Sequence, residues 1–128
     1  MLQFLLDTSV CVDILRKRAS SIGLPPEECV LSSIVTAELW TGLAKSAANP
    51  DRSRKLEEFV SLFPVLGFDD VAARRYGEIR AALERAGTSI GPLDLLIAAH
   101  AVSLGVTLVT SNVKEFRRVK SLKVRAWK

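Results

Sequence analysis

Three acidic residues stand at positions where folded chains commonly build a site. Asp7 directly follows an apolar opening, Glu38 lies one turn inside a predicted helix, and Asp94 lies in the first turn of an apolar helix. A buried carboxylate is costly unless it is paired, hydrogen-bonded or bound to a metal ion. We therefore expect these three side chains to meet one another and a common partner.

A later strand adds two oxygen-bearing side chains to this group, because Asn112 and Glu115 follow shortly after it ends at Val109. Clustered carboxylates repel one another unless a cation neutralises them, and an all-oxygen set suits Mg²⁺ or Mn²⁺. Such an ion keeps several waters, which leaves room for phosphate oxygens and an attacking water. The pattern therefore indicates phosphodiester hydrolysis. A plainer interpretation makes Asp7 a turn residue and Asp94 a partner of the helix dipole.

The elements that must position these acids alternate between strands and helices. Short apolar runs predict strands at residues 1–6, 29–31, 65–66, 106–109 and 122–125. Helical periodicity between them predicts helices at residues 10–18, 34–48, 50–63, 70–86 and 93–104. This alternation predicts an α/β fold, a three-layer α/β/α sandwich with a mostly parallel central sheet. In such a sheet, functional residues collect at the carboxyl ends of the strands, where Asp7 stands.

Residues with known capping behaviour mark the ends of the predicted helices. Ser, Asn and Asp side chains accept hydrogen bonds from free amides at a helix start, and glycine supplies the left-handed turn at a helix end. The predicted N-caps are Ser32 or Ser33, Asn49 before Pro50, and Asp69, and the predicted terminal glycines are Gly87 and Gly105.

The composition is that of an ordinary globular chain. Its 128 residues are 48% hydrophobic and 25% charged, without repeat or linker, so we expect a single domain over residues 1–128 and exclude a disordered chain. Two cysteines, Cys11 and Cys29, are too few for a disulfide framework, which favours a reducing, cytoplasmic setting. The one long apolar window, residues 93–109, contains Asp94 and His100, so we expect no membrane span.

Basic residues are concentrated at the end of the chain. Residues 114–128 carry seven Lys or Arg against one acid, a net +6, while the whole chain is +4. A basic stripe of this density suits a polyanion such as RNA, although a solvated tail has the same composition. Within it, Arg117, Arg118 and Lys120 are the candidate RNA contacts, and three arginines of the predicted fourth helix are possible helpers: Arg74, Arg75 and Arg80.

The one histidine and the two tryptophans are expected to be structural. His100 lies six residues beyond Asp94, well round the helix from it, so we predict a packing or surface residue rather than a general base. Trp40 and Trp127 are predicted to serve packing or an interface rather than base stacking.

Four motifs follow one another along the chain: FLLDTS at 4–9, SSIVTAELWTG at 32–42, GPLDLLIAAHA at 91–101 and LVTSNVKEF at 108–116. With these motifs the chain resembles a PIN domain, and more narrowly the ribonuclease toxins of VapBC toxin–antitoxin pairs. The resemblance implies that Asp7, Glu38 and Asp94 are metal-binding acids. The fourth position is open between Asn112 and Glu115, and we favour Glu115. Ser9 stands where many members have asparagine, a change expected to keep a hydrogen bond.

The resemblance also implies a function and partners. It implies Mg²⁺- or Mn²⁺-dependent endonucleolytic cleavage of RNA, often a transfer RNA, that arrests growth. It further implies a homodimer and a small VapB-like antitoxin whose C-terminal segment covers the active-site groove. Two apolar helical stretches, Trp40 to Ala48 and Leu56 to Phe63, are the surface that we expect this partner to use.

Two other functions remain open from the sequence. A phosphatase with Asp7 as nucleophile usually needs a second acid two residues later, where this chain has Ser9. A non-catalytic RNA-binding module would use the acids only to fix loops. In the hydrolytic interpretation, Asp7 and Asp94 hold the principal ion, with Glu38 and Glu115 as further direct or water-mediated ligands.

Overall fold

Five parallel strands form one sheet at the centre of the protein. A computed structural model describes residues 1–17 and 23–127, and its strands are β1 (Phe4–Leu6), β2 (Cys29–Ser32), β3 (Val65–Leu66), β4 (Thr107–Thr110) and β5 (Lys123–Ala126). They lie in the order β3-β2-β1-β4-β5, and each neighbouring pair is parallel. The predicted α/β fold with a parallel sheet is confirmed.

The pairing of β1 with β4 sets which residues meet at the carboxyl edge. Leu6 lies opposite Val109, so Asp7 and Thr110 follow side by side where the two strands end. Leu5 and Leu6 are inaccessible to solvent, as expected of a central strand with both faces covered. Asp7 therefore sits at the middle of the edge where a site is expected.

Helices cover the sheet and connect its strands. In the described part of the chain they are α1 (Thr8–Lys17), α2 (Ser33–Lys45), α3 (Pro50–Ser61), α4 (Asp70–Ala86), α5 (Pro92–Leu104) and α6 (Val113–Phe116). A 3₁₀ turn, Pro26–Glu28, precedes β2. The sequence predicts α1 to α5 but misses α6 and the 3₁₀ turn, because a single turn is too short to show a period.

The predicted boundaries differ from the observed ones by a few residues. Helix α1 begins two residues earlier than predicted, because the Asp7 carboxylate accepts a hydrogen bond from the Val10 amide and caps the helix. Helix α2 ends at Lys45 rather than near Ala48. Strands β4 and β5 each lie one residue further along the chain than predicted. The predicted end of α1 at Arg18 falls outside the described residues.

The predicted caps are found where the side-chain chemistry placed them. Between the two serines considered for α2, Ser32 is the N-cap, and its hydroxyl accepts from the Ile34 amide at 3.0 Å. The remaining caps are Asn49 for α3, Asp69 for α4, and the left-handed glycines Gly87 (φ 68°) and Gly105 (φ 69°). Two of these caps belong to helices that carry candidate site acids: Ser32 begins α2, which carries Glu38, and Gly105 ends α5, which carries Asp94.

Helix α5 is apolar on nearly all of its faces, which is expected of a helix that the rest of the protein covers on nearly every side. It packs against α4 and β4. Its buried residues are Leu95, Ile97, Ala98, Ala99, His100 and Ala101. His100 is thus the packing residue of the prediction and not a surface residue.

The two apolar stretches considered as a partner surface differ in their exposure. Leu56, Phe59 and Phe63 are buried in the core, where the two phenylalanine rings pack edge to face at 5.3 Å. An amphipathic stripe reveals an apolar face but not what covers it, and here the protein itself does. Trp40 is 38% exposed and keeps part of the expected surface. Trp127 packs against the core and donates its indole N–H to Asp13 at 2.9 Å.

Cys11 and Cys29 are both buried and free. Burial raises the pKa of the Cys29 thiol to about 11 and that of Cys11 further, so neither is a reactive thiolate near neutral pH. In residues 1–17 and 23–127, no helix combines the length and the apolar character needed to cross a membrane.

Candidate active site

Asp7 is held in one orientation by hydrogen bonds to both carboxylate oxygens. Oδ1 accepts from the Ser9 hydroxyl at 2.6 Å and from the Val10 amide at 3.1 Å, and Oδ2 accepts from the Thr110 hydroxyl. These donors stabilise a carboxylate that is only 4% exposed. The hydrogen bond expected of Ser9 is present.

Thr110 is a residue of this site that the sequence did not predict. It lies 103 residues from Asp7 and reaches it only because β1 and β4 are neighbours in the sheet. A polar residue that ends an apolar strand is the signal that could have identified it, since such residues share an edge with Asp7. Thr110 also accepts from the Asn112 amide at 2.9 Å, which fixes the chain as it leaves β4.

Glu38 lies on α2 and is joined to the start of α1. Its Oε1 accepts from the Thr8 hydroxyl at 2.6 Å, and Thr8 directly follows Asp7. The side chain of Glu38 is half-buried. Thr8 therefore couples the position of Glu38 to the end of β1, a role that the sequence analysis did not assign to it.

Asp94 and Glu115 form the most strongly interacting pair of acids. The pKa of Asp94 is raised from 3.8 to about 6. Burial is the largest cause, followed by the charge of Glu115 and a hydrogen bond with it, and then by the charges of Glu38 and Asp7. Each of the other three predicted acids thus makes a negative charge on Asp94 less favourable.

Glu115 is positioned by the start of α5 and by its own helix α6. Its Oε1 accepts from the Gly91 amide at 3.1 Å, and its Oε2 accepts from the Asn112 side-chain N–H at 2.6 Å. Of the two candidates for the fourth position, Glu115 is the one that contacts Asp94. Asn112 directs its amide nitrogen at Glu115, so its role in the structure is to orient that acid.

The chemistry of this donor set fits a divalent cation. Carboxylates near one another bring negative charges together, which helps to raise the pKa of Asp94. A bound cation would neutralise part of this charge. Within the described residues, no group of three or more Asp, Glu, His or Cys side chains already has the arrangement of a metal site.

The basic residues near the site fall into two classes. Arg117, Arg118 and Lys120 are exposed and make no ion pair with any described residue. Arg118 donates to the Ser89 carbonyl at 2.9 Å, close to Gly91 and the start of α5. The other candidates, Arg74, Arg75 and Arg80, pair with acids on their own helix. The three primary candidates therefore have no acidic partner among the described residues, whereas the three arginines of α4 do.

Arg118 and Lys120 also border a cavity of about 450 Å³ between α4 and the segment after α6. Its walls include Ile79, Leu83 and Val102. The lining also includes Arg75 and the acid Glu78, which pair with each other.

Comparison with known proteins gives one consistent result. The PIN domain model matches residues 4–122, a range that contains all four acids. The tRNA(fMet)-specific endonuclease VapC of Salmonella typhimurium is 38% identical over 131 aligned positions that cover 99% of each chain. The crystal structure of DNA-bound VapBC from Salmonella typhimurium superposes with a TM-score of 0.94 at 37% identity, covering 100% of both chains. That of VapBC2 from Rickettsia felis, bound to a promoter DNA fragment, superposes with a TM-score of 0.92 at 37% identity and covers 99% of this chain and 100% of that one.

Proposed function

The chain belongs to the PIN-domain family, and on that premise we propose that it is a metal-dependent endoribonuclease and the toxin of a VapBC-type toxin–antitoxin pair. The observation that carries the proposal is the set of contacts that brings four acids to the carboxyl edge of the sheet. Asp7 follows β1, Thr8 ties Glu38 to the same place, and Glu115 accepts from the Gly91 amide at the start of α5, the helix that carries Asp94. PIN-domain nucleases depend on divalent metal ions, and this cluster is the group of acids in the described chain that needs a cation.

Asp7 and Asp94 are the proposed principal ligands, and Glu38 and Glu115 are further direct or water-mediated ones. The ion, Mg²⁺ or Mn²⁺, would neutralise charge on the scissile phosphate and make water more acidic, which is the chemistry that phosphodiester hydrolysis needs. No protein residue then has to act as a general base. His100 is buried away from this role.

The protein contributes by holding the acids in place before the ion binds. Asp7 cannot rotate without breaking hydrogen bonds to Ser9, Val10 and Thr110. Thr8 restrains Glu38 in the same way. Ligands that are oriented by such neighbouring groups bind metal more tightly, because little conformational entropy is lost on binding.

The residues around Asp7 do not match those of an aspartyl-phosphate enzyme, which usually carries a second acid two positions after its nucleophile. The residue two positions later here is Ser9, which donates a hydrogen bond to Asp7.

RNA is the proposed substrate, held by Arg117, Arg118 and Lys120. These exposed cations have no acidic partner among the described residues, so contact with phosphate costs no existing ion pair. The Salmonella relative is a tRNA(fMet)-specific endonuclease, and we propose a transfer RNA as the substrate class for this chain. Such a substrate places the protein in the cytoplasm.

The proposed partners are a small VapB-like antitoxin and a second copy of this chain. The two Salmonella and Rickettsia structures are VapBC complexes, which supports the antitoxin. Partly exposed Trp40, on the same helix as Glu38, lies where a partner that covers the site would contact apolar surface. The homodimer is proposed from family membership.

The proposal is tested with purified chain, freed of partner and incubated with total bacterial RNA in Mg²⁺ or EDTA. New 5′ ends are mapped for the parent chain, for Asp94→Asn and for Glu57→Gln, an exposed acid of α3 that serves as the matched control. We expect discrete cuts with the parent and the control that disappear in EDTA and in Asp94→Asn. Cutting that survives both would refute the metal site. Binding of RNA without any cut, by folded and metal-loaded protein, would make the chain a non-catalytic RNA-binding module.

A further inference from the structure

The one histidine of the chain joins the two helices that carry site acids. His100 lies on α5, is 1% exposed, and places Nδ1 2.8 Å from the Ser32 hydroxyl oxygen. Ser32 is the N-cap of α2 and lies 68 residues away in sequence. Because α5 carries Asp94 and α2 carries Glu38, this hydrogen bond links the supports of two proposed metal ligands.

The contacts around this hydrogen bond fix the first turn of α2. The Ser32 hydroxyl oxygen also accepts from the Ile34 amide, and the adjacent Ser33 hydroxyl accepts from the Phe68 amide at 3.1 Å. The Phe68 ring meets the imidazole edge to face, with 5.5 Å between ring centroids. The start of α2 is therefore tied to α5 and to the segment that precedes α4.

The link is placed symmetrically with respect to the two acids. Glu38 lies six residues after Ser32, and Asp94 lies six residues before His100. At about 1.5 Å per residue, each acid is roughly 9 Å along its helix axis from the hydrogen bond. An α-helix changes little over two turns, so a change in the Ser32–His100 contact becomes a change in the distance between Glu38 and Asp94.

We propose that His100 is a positioning residue: its hydrogen bond to Ser32 fixes the helix of Glu38 relative to the helix of Asp94, and so limits how far the two acids must move to bind one divalent cation. This inference rests on the proposed function, because it assumes that the two acids share a metal site. In this role the buried imidazole influences metal binding without contacting substrate or metal.

The electrostatic setting of His100 agrees with this role. Burial lowers its pKa, so the ring is neutral near pH 7 and adds no positive charge that would compete with a cation. Asp69, the N-cap of α4, opposes this change.

Two substitutions of His100 distinguish the effect of the hydrogen bond from the effect of ring packing. His100→Asn keeps an amide atom at the same number of bonds from Cα as Nδ1, so it preserves a partner for Ser32 but loses the ring. His100→Phe keeps the ring against Phe68 but removes the hydrogen bond. Ser103→Ala is the matched control, because it removes a 2.7 Å hydrogen bond from the Ser103 hydroxyl to the His100 carbonyl on the same helix without touching α2.

The measurement is Mn²⁺ binding to the purified full chain, followed by the electron paramagnetic resonance of the free ion, with urea unfolding of each variant in parallel. We expect His100→Phe to weaken Mn²⁺ binding about tenfold, the lower end of what loss of an orienting partner costs a metal site. Asparagine should restore binding to within about twofold, and Ser103→Ala should match the parent. The kcat for RNA should fall with Mn²⁺ affinity in His100→Phe, while KM stays unchanged.

Three outcomes would overturn the inference. Parental Mn²⁺ affinity in folded His100→Phe would make the contact structural only, and equal losses in the phenylalanine and asparagine variants would assign the effect to the ring. Where His100→Phe does not fold, Ser32→Ala breaks the same contact from the other side and must show the same loss. A parent chain that binds Mn²⁺ no better than Asp94→Asn would refute the proposed function itself, and this inference with it.

Discussion

Replacing Asp94 by asparagine should make the metal-free protein more stable above pH 6 while abolishing cleavage. The carboxyl group lies partly buried beside Glu115, and its pKa is raised from 3.8 to about 6. Deprotonation in the folded chain is therefore unfavourable, because the charge is desolvated and meets a second carboxylate. Asparagine removes that charge and can still donate a hydrogen bond to Glu115.

The sign and the size of the effect follow from the two pKa values. The folded chain keeps the Asp94 proton more tightly than the unfolded chain, so stability is greatest below pH 3.8 and is lost as pH rises through about 6. Two pKa units correspond to about 3 kcal/mol at most. Because Asp94 is in contact with solvent, screening reduces the expected gain for Asp94→Asn to about 1–2 kcal/mol at pH 8.

Urea unfolding in EDTA at pH 4 and pH 8 measures this difference. Asp94→Asn should exceed the parent at pH 8 and lose most of that advantage at pH 4, with unchanged m-values. Glu57→Gln, an exposed acid on α3, controls for the loss of one charge and should show no such pH dependence. If Asp94→Asn is destabilised equally at both pH values, the acids do not repel one another and the argument for a cation site fails. Added Mg²⁺ should reverse the order, since it stabilises only the chain that binds it.

Other substitutions test the remaining contacts. Thr110→Val removes a donor from the buried Asp7 carboxylate and should cost about 1.5–3 kcal/mol in urea unfolding, whereas Thr41→Val, at an exposed site on α2, should cost little. Thr8→Val frees Glu38 and should lower kcat/KM for RNA cleavage about tenfold with little change in stability; an unaltered rate would contradict its orienting role. Arg118→Gln with Lys120→Gln should weaken RNA binding and flatten the plot of log K against log salt by about one to two units in filter binding. Equal losses on removal of two ion-paired arginines of α4 would show that the free cations have no special part.

Much of the fold could be predicted because its signals are local. Caps such as Asn49 and Asp69 and the glycines that end α4 and α5 depend on side-chain chemistry within one turn. The strand that ends at Asp7 is recognisable from six apolar or neutral residues. The alternation of strands and helices then leaves few topologies besides a parallel sheet. These features depend little on residues distant in sequence.

The features that the sequence did not predict depend on distant residues. Thr110 and Ser32 acquire their roles only when β4 lies beside β1 and α5 lies beside α2. The stretch from Leu56 to Phe63 was a plausible partner surface, but Leu56, Phe59 and Phe63 lie in the core, because an apolar stripe is the same whether the protein or a partner covers it. Helix α6 is a single turn, yet it carries Glu115. Sequence periodicity identifies which face is apolar, but contact partners are set by topology.

The four acids differ in how the fold treats them, and this difference bears on mechanism. Asp7 is surrounded by donors, so its charge is satisfied by the protein and its position is independent of any ion. Asp94 has an acid as its neighbour, so its charge is satisfied only by a proton or a cation. A site built this way combines a ligand that the protein orients with one whose charge a cation relieves. Above pH 6, where Asp94 is largely ionised, the repulsion that destabilises the metal-free protein is what a bound cation would remove.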